Sequence, residues 1–382
     1  MSNPAARGGR ARLALIGPVP PLRGGIAQHT VKLHRVLRER AELLTVSFTR
    51  LYPSVLFPGE KELEPGHEQH REPGVEYLID AVSPRGYGIA LERIVKFRPD
   101  AVVLPWWTLY FAPGFLWLTR ALRRAGIPSY FFCHNSEDHE SALYKRWIGN
   151  LVLAEAAGFI THTLADRDNL AERFPGAPFL VYPHPIGGYY APAHGTLARR
   201  APLELLFFGL VRRYKGLDIL LTALERLPRQ DVRCSIVGEF WQRDRRLLER
   251  AQGLARVDVV PRFVSDAEAA EYFQRSDVVI LPYRGASGSA VIPLAYQYQR
   301  PVIATRVGGL PDVVLEGQTG FLVEPEDPQA IAALLGRLTS EELCAMRPAI
   351  ERFSRTLTWE ILADKIIEFV GTHGRAPRVS EL

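Results

Sequence analysis

Short apolar runs of four to six residues recur through the first half of the chain, at Leu13–Ile16, Leu43–Phe48, Ala101–Leu104, Ser129–Cys133, Phe159–Thr163 and Phe179–Tyr182. Between several of them the apolar positions repeat at helical spacing, as in Ala27–Arg40, Ala90–Phe97, Phe115–Arg124 and Ala165–Phe174. Runs of this kind alternating with helices predict a parallel sheet wrapped by helices. Residues 52 to 74, rich in Pro, Gly, Glu and His, read as a long surface loop. Apolar periodicity then stops from Pro183 to Pro202, where Pro and Gly are frequent, as in an interdomain linker. Beyond it the alternation restarts, with runs at Glu204–Phe208, Val232–Val237, Val257–Val260, Val278–Leu281, Val302–Ala304 and Gly320–Val323. A last helix is expected over about Thr358–Val370. The expected class is therefore α/β, with two doubly wound parallel-sheet domains. Ligands of such sheets bind beyond the carboxyl ends of the strands, so the chemistry is sought there.

The segment from residue 277 to 325 is the most informative. The run ending at Leu281 is followed by Gly285-Ala286-Ser287-Gly288-Ser289 and then by an expected helix, Ala290–Gln299, with Pro293 in its first turn. A glycine loop feeding a helix N-terminus directs free backbone amides at an anion such as phosphate. Ser287, Gly288, Ser289, Ala290 and Val291 are the candidate contacts. A second charged loop follows the strand ending at Phe208: Gly209, Leu210, Val211, Arg212, Arg213, Tyr214, Lys215 and Gly216. Arginine forks and a lysine point charge suit a diphosphate whose negative charge grows as it leaves. Arg212 and Arg213 could equally be solvated surface charges.

Other candidates carry a plain alternative. Gly24-Gly25 after the first strand allows backbone to approach a ligand, or is only a flexible turn. His134 stands just past an apolar strand, where ligands sit, although a lone histidine is often only structural. Glu137, Asp138, His139 and Glu140 are polar enough for a metal, but no spaced His/Cys set supports one. His67 and His70 read as solvated. Asp166-Arg167-Asp168 spells DxD, yet its place at a helix start is explained by capping. Phe240 and Trp241, and Phe263 with Val264, follow strands, where a ligand could sit, or pack in the core. Trp106–Phe111 and the helix bearing Arg120, Arg123 and Arg124 suit either a membrane surface or a packed helix with a basic outer face.

Bulk composition narrows this little. At 382 residues, with 47% hydrophobic and 23% charged residues, the chain is globular and long enough for two domains. Of 47 basic residues 41 are Arg, and they are spread along the chain with no tract dense enough for nucleic acid. Three cysteines, Cys133, Cys234 and Cys344, suggest neither a disulfide framework nor a metal knuckle, and fit a reducing cytoplasm. The apolar run behind the basic N-terminus is too short for a signal peptide, and no stretch approaches 18 apolar residues.

The order of strand, glycine loop, helix and strand from residue 277 resembles the donor-sugar half of retaining GT-B glycosyltransferases of family 4. The resemblance implies two Rossmann-like domains facing a cleft: residues 1–188 binding an acceptor, a linker over 189–202, residues 203–357 binding a nucleotide diphosphate sugar, and residues 358–382 crossing back to the first domain. It implies metal-independent hexosyl transfer with retention, in polysaccharide biosynthesis, and no cofactor beyond the donor. The acceptor would be a glycan, a lipid-linked saccharide or a small molecule, with peripheral contact at the inner membrane surface and no nucleic-acid partner. Catalytic roles then fall to His134, near the transferring sugar, and to Arg212 and Lys215. Donor contacts fall to Gly24, Gly25, Gly209, Phe263, Val264 and the Ser287–Val291 loop. Two departures stand out. Leu210 occupies the place of the usual arginine, for which Arg212 is the substitute. Ala286 and Leu294 stand where members carry a pair of glutamates, the first gripping sugar hydroxyls. An epimerase or phosphorylase on the same fold, or a non-catalytic nucleotide-sugar-binding partner, fits the same layout.

Overall fold

The structure, a computed structural model, describes residues 10–52, 63, 69–134, 143–188, 197–240 and 244–373. It divides into two compact units, one of residues Met1–Tyr182 with Trp359–Leu382, the other of Pro183–Thr358. His67, Glu137, Asp138, His139, Glu140 and Trp241, with much of the expected 52–74 loop and of the linker, lie outside the described residues.

The first unit runs β1 (Arg12–Ile16), α1 (Gly25–Arg40), β2 (Glu42–Arg50), β3 (Val75–Asp80), α2 (Pro84–Phe97), β4 (Ala101–Trp106), α3 (Ala112–Arg124), β5 (Ser129–Cys133), α4 (Leu143–Leu153), β6 (Gly158–Thr161), α5 (Leu164–Arg173) and β7 (Phe179–Val181). All seven strands are parallel, in the order β3-β2-β1-β4-β5-β6-β7. β4 and β5 are buried along their whole length, which is why they read as unbroken apolar runs. β3 is only half-buried at an edge and mixes Glu76 and Asp80 with apolar residues, so no apolar run announces it.

The second unit runs β8 (Leu203–Phe208), α6 (Leu217–Arg226), β9 (Val232–Val237), α7 (Arg245–Gln252), β10 (Val257–Val260), α8 (Asp266–Arg275), β11 (Val278–Leu281), α9 (Val291–Gln297), β12 (Val302–Thr305), β13 (Gly320–Val323), α10 (Pro328–Arg337), α11 (Ser340–Ala345) and α12 (Arg347–Ser354). Its six strands are again parallel, ordered β10-β9-β8-β11-β12-β13. Leu205, Phe207, Ile236, Val279 and Ile303 pack in its core. The helix expected over Ala290–Gln299 is shorter, seven residues over α9, because Gln299 takes φ 54° and Tyr298 already leaves helical geometry. The last helix, α13 (Trp359–His373), belongs to the first unit. There it lies beside α1, where Arg40 Nε donates to Asp364 at 3.0 Å. The expected doubly wound α/β class is what the two sheets show.

Candidate active site

In the second sheet the chain order reverses between neighbouring strands β8 and β11, so the loops leaving them flank a topological switch point. These are the two loops singled out in the sequence. After β8 the backbone turns through Gly209, at φ 97°, where a side chain would be strained. A Cβ there would lie 3.0 Å from Lys215 Nζ, so the lysine head folds back over the end of its own strand. Lys215 is 9% exposed, and its ammonium stands 5.9 Å from the centre of the Tyr283 ring. Tyr283 Oη is 3.4 Å from Ser289 Oγ, which accepts the Val291 N–H at 3.2 Å. Lys215, Gly209, Tyr283, Ser289 and the start of α9 thus form one cluster. The Val291 amide is thus engaged by Ser289, while Ala290, the residue before α9, makes no side-chain cap.

Burial, helped by the neighbouring Arg212 charge, lowers the Lys215 pKa from its usual range to about 8. Among the described residues no carboxylate contributes to that balance. A cation buried without a counter-charge is costly, and an incoming anion relieves the cost. Arg212 is half-buried, whereas Arg213 and Leu210 are exposed.

Arg284, which the sequence reading missed, holds the two loops together. Its guanidinium donates to both carboxylate oxygens of Asp218 at 2.7 Å and to the Arg213 carbonyl at 2.9 Å. Its own N–H donates to the Tyr214 carbonyl at 2.7 Å. Gly216 is needed at the contact: it has φ 64°, and a Cβ would sit 1.9 Å from the Pro282 carbonyl oxygen. The Ser/Gly loop is pinned from its other side by Gly309, whose N–H donates to the Ser287 carbonyl at 3.0 Å. Ala286 and Leu294 are both buried in the core. Two strands away from β8, after β10, Phe263 is 66% exposed while Val264 is buried. Phe240 is half-buried and packs against the core of this unit.

In the first unit Gly24 and Gly25 are exposed at the start of α1, and a Cβ at either would meet nothing within 4 Å. His134 follows β5, fixed by its N–H donating to the Trp106 carbonyl at 2.9 Å. It is not alone. His29 from α1 stands 4.6 Å from it, ring centre to ring centre, and 5.0 Å from the ring of His162. The sequence signal for this cluster was His162 at the end of a strand and His29 four residues past Gly25. Burial holds His134 well below the ordinary histidine pKa and His162 down to about 4.

The DxD letters serve the helix. Thr163 Oγ1 accepts the Asp166 N–H at 3.1 Å and donates to its carboxylate at 2.6 Å, while Asp168 pairs with the neighbouring Arg167. In the aromatic stretch Trp106, Phe111 and Phe115 are core residues, and Arg120 and Arg123 both pair with Glu155. Among the described residues no helix is long and apolar enough to cross a membrane.

Residues 202–341 match the family described as glycosyl transferases, group 1. A D-inositol 3-phosphate glycosyltransferase of Corynebacterium urealyticum is 34% identical over 175 residues, 42% of this chain and 41% of that protein. The chain spans about half the length of the curated relatives it matches. Among solved structures, a sucrose-phosphate synthase of Thermosynechococcus elongatus superposes with a TM-score of 0.72 at 19% identity, over 94% of this chain and 98% of that one. Anabaena HepE in complex with UDP-glucose superposes with a TM-score of 0.70 at 18% identity, over 94% and 100%. At such identity the structures speak for the fold alone. The fold is GT-B, and residues 202–341 are similar to group 1 glycosyl transferases.

Proposed function

We propose that this chain, a GT-B protein similar to group 1 glycosyl transferases, moves a hexosyl group from a nucleotide diphosphate sugar to an acceptor hydroxyl with retention of configuration. The observation that carries the reading is Lys215: a buried cation with no carboxylate partner among the described residues, at the switch point of the second sheet, beside the Ser/Gly loop. As the sugar–phosphate bond breaks, negative charge collects on the departing diphosphate. Lys215 and Arg212 meet that charge from positions fixed beforehand by Arg284 and Gly216, so little reorganisation is required. Phe263 and Val264 would border the base. In the first unit His134 would contact the reacting sugar and the Gly24-Gly25 loop the acceptor side. No side chain serves as nucleophile, and the leaving phosphate takes the acceptor proton. The acceptor would be a glycan, a lipid-linked saccharide or a small molecule. D-inositol 3-phosphate, from which the relatives take their name, is one compound to try. A reducing cytoplasm, with peripheral contact to the inner membrane face, completes the reading, supported by three free cysteines.

The test is incubation with a panel of UDP-, GDP- and ADP-sugars and acceptors, followed by NMR assignment of the product anomer. A retained glycoside supports the proposal. An inverted product, a free epimer or a sugar phosphate overturns it. Turnover should change less than about twofold when Mg²⁺ or Mn²⁺ is added, because side-chain cations and backbone already supply the charge stabilisation. A strict Mg²⁺ requirement would contradict that part. A non-catalytic nucleotide-sugar-binding role is favoured by one observation, the burial of Ala286 and Leu294 where the glutamate pair is expected. Tight donor binding with no transfer to any acceptor would select it.

A further inference from the structure

His29, His134 and His162 come from three separate elements, and each places a ring nitrogen within 4.8 Å of the other two. Their protonation follows from their surroundings. His162 Nδ1 lies 2.9 Å from the Tyr182 carbonyl, which can only accept, so Nδ1 carries the proton and Nε2 presents a lone pair. That lone pair faces His29 Nε2 at 3.1 Å. His134 Nε2 is buried with no hydrogen-bond partner among the described residues. Such an orphaned acceptor or donor normally costs stability unless something fills the place.

From this geometry we propose that His29, His134 and His162 form a site for a divalent transition-metal ion of the Zn²⁺ class. Three imidazole nitrogens suit Zn²⁺, Co²⁺ or Ni²⁺ and not the oxygen-seeking Mg²⁺ or Ca²⁺. Nitrogens bound at about 2.0–2.1 Å to a tetrahedral ion lie about 3.4 Å apart. The His29–His162 pair is already at 3.1 Å, and bringing in His134 needs a ring movement of an ångström or so. The Tyr182 carbonyl behind His162 is the outer partner that a metal-bound histidine ordinarily has. The rings of Phe132 and Trp359, 4.7 and 5.0 Å from that of His29, wall the site with apolar surface. A fourth position is left for water or an anion. An ion there would tie the first turns of α1 to the ends of β5 and β6, just below the Gly24-Gly25 loop in the chain. The site lies within the first unit and shares His134 with the sugar contact proposed above, so it is tested by metal binding and not by transfer.

The full chain, without an affinity tag, would be stripped of metal and titrated with Zn²⁺ against a chromophoric chelator, and with Co²⁺ as a spectroscopic probe. One equivalent of Zn²⁺ should bind, and Co²⁺ should give the intense visible d–d bands of a tetrahedral site. His134→Gln and His162→Gln should each weaken Zn²⁺ binding by roughly 100-fold, at least as much as losing an outer partner. If either variant fails to fold, the stoichiometry and Co²⁺ spectrum of the unaltered chain decide. Absence of stoichiometric binding, a purely octahedral Co²⁺ spectrum, or unchanged affinity in both folded variants would overturn the proposal. Nucleoside diphosphate binding, measured separately, reports on the second unit, so failure of one reading is distinguishable from failure of the other.

Discussion

Lys215 concentrates the donor chemistry in one side chain. Burial and the Arg212 charge lower its pKa to about 8, against an ordinary 10.5. The folded state therefore disfavours the charged form: this contribution to stability is full above 10.5 and is lost as pH falls through 8. Diphosphate binding selects the protonated lysine. Nucleoside diphosphate affinity should accordingly be flat below pH 8 and weaken by up to about tenfold per pH unit above it. Calorimetry across pH 7 to 9.5 checks this, with Lys215→Met expected to bind weakly and without that slope. Lys215→Ala should lower turnover by roughly 100-fold or more, as does loss of one stabiliser of developing charge. Arg212→Ala should follow it, and Arg213→Ala, at an exposed position, should matter less. Near-normal kinetics for Lys215→Ala would remove the diphosphate from this loop. At the facing loop, Gly288→Val should abolish nucleoside diphosphate binding by filling the approach, whereas Leu294→Ala should cost about 2–4 kcal/mol of stability and leave binding in place. Undiminished binding by Gly288→Val would sink the assignment.

Among the elements, α3 and α4 bear on membrane contact. The sequence puts aromatic and basic residues side by side from Trp106 to Arg124, but folding separates them. Trp106, Phe111 and Phe115 face inward, and Glu155 takes up Arg120 and Arg123. What stays outside is Trp117 on α3 and Trp147 on α4, 49% and 64% exposed, with Arg124 and Arg146 exposed near them in the chain. Exposed tryptophan with exposed arginine suits the interface of an anionic bilayer. Weak, salt-sensitive binding to vesicles containing anionic lipid is expected. Trp117→Ala with Trp147→Ala should abolish it, while Arg120→Ala with Arg123→Ala should reduce it less because their charge is already met. Equal flotation of the tryptophan variant with vesicles would reject the contact.

On the scale of the whole molecule, Asp277 shows how the second unit is closed. It accepts from Arg199 at 2.9 and 2.8 Å, from the Glu204 N–H at 2.8 Å and from Ser340 Oγ at 2.8 Å. It thereby joins the chain entering the unit, the second residue of β8 and the first residue of α11. Burial works against its ionised form, but these hydrogen bonds outweigh it and hold the carboxyl below its ordinary 3.8. The stabilisation is present above pH 3.8 and is lost as pH falls through the lower folded value. Asp277→Ala should destabilise the unit by about 3 kcal/mol at pH 6, as when a buried charged network loses one member. Urea unfolding at pH 6 and at pH 3 should show the gap between variant and parent narrowing in acid. An equal gap at both pH values would count against the network.

The sequence by itself determined the alternation of buried strands and helices, and with it the α/β class, because a strand covered on both faces must be apolar along its length. β4, β5 and β11 show this, and half-buried β3 shows where the signal fades. It also marked the two loops at the switch point, since a glycine at positive φ and a lysine beside it leave local traces. What it could not say is which side chains meet. Arg284 looks like any strand-end arginine until Asp218 and two backbone carbonyls close on it. His29, His134 and His162 are separated by more than a hundred residues from first to last, and only strand order brings their rings together. The amide of Val291 at the start of α9 is taken up in the same way: Ser289 turns back to accept it, a choice made by loop conformation rather than residue type. Periodicity is a property of neighbours in the chain, whereas a site is made by neighbours in space.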